Sequence, residues 1–289
     1  MSVALPRSAG WAVAALLSNA MVWGLTWWPM RELQHAGLHP LWATVLIFSL
    51  SVSVIGVLRP AAWSELARHP SLWLIVLAAG TTNACFNWGV TAGDVVRVVL
   101  LFYLMPLWTV LLARWLLHEA ITAAALLRVA LALAGAALVL WPQNGTQLLD
   151  GDPIDLLGLL GGFSFAVNNV MLRRLGQRSE AARGLAMFLG GGLVSLVLAL
   201  IIPTGPLPEL APGWLLICAL LATCYLGSNM ALQYGATRLP ANVTAVVMLT
   251  EVLWATASSV ALGAGQMSPA LALGGALIVG AAALSAWRP

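Results

Sequence analysis

Ten apolar runs of membrane length, separated by Pro, Gly and charged residues, limit what this chain can fold into. They cover about 11–30, 38–58, 71–92, 95–114, 122–141, 154–174, 183–202, 212–235, 239–262 and 269–287. A helix rises about 1.5 Å per residue and the hydrocarbon layer is roughly 30 Å thick, so each run suffices for one crossing. In hydrocarbon every backbone polar group must be satisfied internally, which leaves helices or closed barrels. No strand alternation long enough for a barrel occurs, so the fold class is all-α, a polytopic membrane protein with ten transmembrane helices. Composition agrees: 61% of the 289 residues are hydrophobic and 8% charged, which excludes an ordinary soluble domain. The first run follows Arg7, is too long for a cleavable signal and has no small-residue cleavage site in its Trp23–Trp28 stretch, so it reads as the first span.

An even number of spans puts both termini on one side. All 13 basic residues are arginine. With the N-terminus in the cytoplasm, Arg7, Arg59, Arg68, Arg114, Arg128, Arg173, Arg174, Arg178, Arg183, Arg238 and Arg288 fall at or near cytoplasmic ends, leaving Arg31 and Arg97 outside. The expected location is the inner (plasma) membrane, with both termini cytoplasmic. The net charge of +3 is accounted for by this bias and does not call for nucleic acid as a partner. Glu32, Asp94, Asp150, Asp152, Asp155 and Glu209 then lie outside and Glu65, Glu119 and Glu180 inside. Asp150, Asp152 and Asp155 lack the length and closing Glu of a calcium loop and are expected to cap the sixth span.

Sliding the chain by 145 residues lays Leu104–Trp108 on Leu249–Leu253 and Gly135–Leu138 on Gly280–Ala283; a slide of 142 sets Trp23–Trp27 against Phe165–Asn169. The halves, 1–145 and 146–289, then hold five spans each. Five is odd, so the second half enters the membrane from the opposite side. Inverted repeats of this kind build two alternating gates around a midplane site.

Glu251 stands near the middle of the ninth run and belongs to neither group of acids. An acid at a helix centre in lipid costs about 2.5–3.5 kcal/mol on insertion scales, so it needs a cavity, a partner or a proton. Other polar and aromatic residues recur at helical spacing: Asn19, Trp23 and Trp27; Asn83 and Asn87; Tyr225, Asn229 and Gln233; Ser164 with Asn168 and Asn169; Tyr103; and Met248 and Trp254 beside Glu251. Buried amides turn inward, which predicts a polar, aromatic-walled central cavity built from spans 1, 3, 4, 6, 8 and 9; interhelical hydrogen bonding is the alternative for any one Asn. Pro106, the repeat mate of Glu251, frees the Phe102 carbonyl and is the candidate hinge, while Pro29 ends or bends the first span.

Several features carry less. Trp11, Trp63, Trp73, Trp141, Trp214 and Trp287 fall near span ends, as interfacial tryptophans do. Cys85, Cys218 and Cys224 read as small core residues. Ala272, Ala276 and Gly280 predict close packing of the tenth span, against a neighbour within the chain or in a homodimer. His118-Glu119 does not continue as a zinc motif, His35 and His39 lack a third ligand, and no phosphate-cradling Gly-rich loop followed by Lys occurs. No cofactor or metal is expected, and a lipid-modifying enzyme would need acids or histidines clustered at one interface.

Trp23-Gly24-Leu25-Thr26-Trp27, together with Pro106 followed by Leu117, Glu119 and Thr122, resembles the ten-span EamA-like branch of the drug/metabolite transporters over nearly the whole chain. The second half departs from that pattern, with Glu251 in place of Pro and Ala264 in place of Glu, so one proline hinge is present rather than two. The resemblance implies alternating access of a small organic solute, usually outward from a bacterial cytoplasm. The Trp-rich first helix is similar to that of the aromatic amino-acid exporters, which points to aromatic or hydrophobic amino acids; drugs or other metabolites are the alternative. The expected substrate-binding residues are Trp23, Trp27, Asn83, Asn87, Tyr103, Asn168, Asn169, Tyr225, Asn229, Glu251 and Trp254.

Overall fold

A computed structural model describes residues 7–92, 95–139, 155–205, 212–263 and 269–287. The first half contains α1 (Arg7–Leu25), α2 (Trp27–His35), α3 (Pro40–Leu58), α4 (Ala61–Arg68), α5 (Ser71–Ala92), α6 (Val95–Phe102), α7 (Met105–Leu116) and α8 (Ala123–Val139). The second contains α9 (Asp155–Arg174), α10 (Glu180–Ile201), α11 (Pro212–Arg238), α12 (Ala241–Met248), α13 (Glu251–Ala261) and α14 (Pro269–Trp287). Among the described residues there is no strand. The all-α, ten-span expectation stands, with three spans each built from two helices: α1 and α2, α6 and α7, and α12 and α13.

The broken spans correct the sequence reading. The first run does not end near residue 30: it is interrupted at Thr26 and continues to His35. Pro29 has no N–H for the Leu25 carbonyl, which places the break one turn ahead of the proline. Pro106 acts likewise on the Phe102 carbonyl, and the chain tightens at Tyr103–Leu104, where the Leu104 N–H donates to Leu101 O at 3.2 Å. The ninth span breaks at Leu249–Thr250 without a proline. There the Thr250 hydroxyl donates to the Val247 carbonyl at 2.8 Å, and Leu249 and Thr250 make short i→i−3 backbone bonds. Leu104 and Leu249 are 145 residues apart in sequence, so the two halves break at equivalent places. Glu251 is therefore the first residue of a half-helix rather than the midpoint of a continuous one.

Packing follows exchange of the halves. The first span lies on α11 and on the broken α12–α13; correspondingly, α9 lies on α5 and on the broken α6–α7. The pairs α3 with α10 and α8 with α14 map onto themselves. At the α8–α14 seam, Gly135 and Gly274 are reciprocal: a Cβ on either would lie 2.6 Å from the other's carbonyl oxygen. Within the chain, the seam runs on a different face of α14 from Ala272, Ala276 and Gly280. Ala272 and Ala276 are exposed, Gly280 meets nothing within 4 Å, and Gly274, Ile278 and Ala281 form the seam.

Polar bonds tie the connections at each end. At one end Glu65 of α4 accepts from the Ser179 amide and hydroxyl, and Glu119 lies 3.9 Å from Arg173 and accepts the Ala241 N–H at 3.3 Å. At the other, the Trp42 indole donates to Thr204 at 3.0 Å. The short helix α4 was not anticipated; it buries Ala62 and Leu66 against the bundle and leaves its polar side outward. Trp11, Trp63 and Trp73 are exposed near span ends, whereas Trp214 is buried against Leu33, Leu38 and Phe188 and is no interfacial anchor. Cys85 and Cys218 are buried, but Cys224 is exposed on α11. Asp150, Asp152, Trp141 and Ala264 lie outside the described residues, as does the Asp155 side chain.

Candidate functional site

The site forms where α1 crosses the second broken span. A Cβ on Gly24 would stand 2.5 Å from the Glu251 carbonyl oxygen and 2.7 Å from Trp254 Cβ, so only glycine lets α1 come this close to the first turn of α13. On the other side, a Cβ on Gly162 of α9 would collide with the Phe102 carbonyl at the end of α6. Each half thus presses a glycine of its first helix against the broken span of the other.

The close approach aligns aromatic and acidic groups. Trp23 stacks on Tyr225 of α11 with centroids 4.6 Å apart and an interplanar angle of 11°, and Phe48 of α3 meets the Tyr225 ring edge-on at 6.0 Å. Glu251 is within electrostatic reach of Tyr225 and of Tyr103, the residue at the break between α6 and α7. Tyr103 continues into a second aromatic group: Phe102 contacts Tyr103, Phe86 and Phe165 at 6.0, 5.1 and 5.8 Å. One turn beyond Trp23, the Trp27 indole donates to Ser258 at 2.9 Å and the Arg31 guanidinium lies over its ring at 5.3 Å.

The amides divide. The Asn19 amide nitrogen donates to the Ser228 carbonyl at 2.8 Å and to its hydroxyl, while its Oδ1 is buried without a protein partner. Asn229 donates to the Met187 sulfur at 3.1 Å and accepts from Gln233 at 2.6 Å, and Gln233 also reaches the Glu180 carbonyl, so this face ties α11 to α10. Asn83 donates to the Ala79 carbonyl one turn back at 2.9 Å. Asn168 and Asn169 are buried as well: the Asn168 Oδ1 has no protein partner, and Asn169 stands apart in that both of its polar atoms have none. A buried amide without a partner calls for water or a ligand. Trp254 is 40% exposed beside the site. The Asn87 side chain lies outside the described residues. His39 is used as a cap, its Nδ1 accepting the Leu41 N–H at 3.2 Å.

Phe48, Phe86, Phe102 and Phe165 were missed by the sequence reading. A phenylalanine in an apolar run carries no mark separating core from site, although Phe102 adjoining Tyr103 and supplying the carbonyl that Pro106 frees was a usable signal.

Two inverted five-span halves, broken at matching positions around an acid and a set of rings, define a membrane transporter of small solutes. A crystal structure of another protein, 19% identical, matches with a TM-score of 0.75 over 95% of this chain and 96% of its own, a likeness of fold. No curated protein matches the sequence. The chain belongs to the EamA-like transporter family, which matches it twice, over residues 10–141 and 152–287.

Proposed function

We propose that this protein carries aromatic or hydrophobic amino acids across the inner membrane by alternating access, with both termini in the cytoplasm. The observation that supports the substrate class is the Trp23–Tyr225 stack beside Glu251. The indole and phenol already stack on each other, so a substrate ring would extend that stack from the Trp23 side or replace one of its two members, and a carboxylate beside it is the natural partner of an ammonium group. The unpartnered Asn169 amide and Asn168 Oδ1 offer a donor and acceptors to a polar head group. The arginine asymmetry supports the orientation. Other drugs or metabolites with a flat cationic group would suit the same pair of features.

Proteoliposome uptake of labelled amino acids tests this. Tryptophan or phenylalanine should be transported and should raise the Tm of the purified protein, since a ligand that binds only the folded state stabilises it by mass action. Glu251→Gln should lower flux about tenfold or more and flatten its pH response, as expected when a midplane acid loses its charge. Flat melting curves with amino acids, beside a clear shift with cationic drugs, would replace the amino-acid reading with the drug one. Unchanged flux in Glu251→Gln would remove the carboxylate from the mechanism.

A further inference from the structure

At the end of the bundle where α9 passes to α10 and α11 ends, a cavity of about 580 Å³ is walled by Arg173, Arg174, Arg178, Arg183 and Arg238, with Glu180 as the acid in its lining. We propose that this cavity is a binding site for a phosphate group, presented either by an anionic phospholipid headgroup or by a soluble phosphate ester. Clustering at a span end would by itself reflect topology alone; the way these guanidiniums are held goes further.

Arg183 is 2% exposed, and its Nε is buried without a partner. Its Nη1 makes one long bond, 3.4 Å to the Leu172 carbonyl. A guanidinium carries five donors, so this buried cation on the cavity wall is left with most of its hydrogen-bonding capacity unmet. Its neighbours are oriented chiefly by neutral groups. Arg173 donates to the Thr237 carbonyl at 2.6 Å, Arg178 lies 3.0 Å from the His69 ring nitrogen, and Arg238 donates to the Tyr234 carbonyl at 3.1 Å while lying 3.7 Å over the Tyr234 ring.

Among the described residues, Arg173 is the lining arginine with a carboxylate within 4 Å, namely Glu119 at 3.9 Å. Glu119 is shared with the Ala241 N–H, and Glu65 nearby is engaged by Ser179. The cavity therefore keeps a fixed excess of positive charge. Planar guanidinium forks held in place match phosphate oxygens, and basic recesses between membrane helices take lipid headgroups in the same way.

The test uses the full-length purified protein. Tm is followed against inorganic phosphate, with sodium chloride at matched ionic strength as control, and against short-chain phosphatidylglycerol, with short-chain phosphatidylcholine as control. Phosphate or phosphatidylglycerol should raise Tm by about 3 °C or more over its control, the size of a mass-action effect well above Kd. Arg174→Gln with Arg178→Gln should weaken the apparent affinity about tenfold, while Arg59→Gln, outside the cavity, should not. An excess for phosphatidylglycerol alone assigns the lipid headgroup; an excess for phosphate, with the two lipids equal, assigns a soluble ester. Should the double variant fail to fold, Arg174→Gln alone, at an exposed position, should give a loss of about threefold. No excess over either control, or an equal loss in Arg59→Gln, overturns the proposal.

Discussion

At the residue scale, contact with backbone decides what can be changed. Gly24 faces the Glu251 carbonyl and the Trp254 Cβ, neither of which can swing aside. Gly24→Ala should destabilise by about 1–3 kcal/mol, the usual cost of overpacking, and thermal melting in detergent would show it. Glu65 gives a pH prediction outside the membrane. Burial alone would push its carboxyl up, but the Ser179 hydroxyl and amide, with Arg178 and His69 beside it, hold it below its ordinary value. A group whose acidity is raised by folding contributes stability above its unfolded pKa and loses it as pH falls through the folded one. Tm should therefore fall on acidification below the usual carboxylate range. Glu65→Gln should remove part of that slope and lower Tm slightly at neutral pH.

At the element scale, the two breaks reach the same shape by different chemistry. Pro106 removes a backbone donor; at the second break the Thr250 hydroxyl bonds the Val247 carbonyl and no proline is needed. In Pro106→Ala the restored N–H can bond the Phe102 carbonyl, so the protein should melt no lower than about 1–2 °C below the native chain while turning over more slowly. Thr250→Val removes the hydroxyl that takes up the Val247 carbonyl and should cost about 1 kcal/mol, the usual worth of a buried hydrogen bond. A variant pair in which both melting and flux stay native would show that the breaks are incidental to transport.

At the scale of the whole molecule, Glu119 joins three elements at the arginine-rich end: it follows α7, faces Arg173 at the end of α9 and receives the first N–H of α12. Its partner in the ion pair is partly exposed, so Glu119→Gln should change stability by only about 1 kcal/mol or less. The larger effect should be on access, because the same contact holds that end of the two halves together. Cysteine substituted at Ala241 should react faster with a water-soluble maleimide when Glu119 is also changed to Gln. Equal labelling rates would leave Glu119 as packing alone.

Hydrophobic run length and the 145-residue slide were enough for an all-α, ten-span chain of two repeats, because a bilayer leaves backbone donors and acceptors so few alternatives. Glu251, Pro106, Trp23 and Tyr225 stood out because each is costly or unusual in a lipid-spanning helix. Other features depended on which helices meet. Asn19 and Asn229 turned out to be interhelical ties and Trp214 a core residue, while the seam of α14 ran through Gly274 rather than Ala272 and Ala276. The break before Glu251 had no proline to announce it, since a hydroxyl and the packing of α1 produce it. Residue type records what a side chain can do in hydrocarbon, but its partner is chosen by close contacts between helices far apart in sequence, and those exist only once the two halves have folded together.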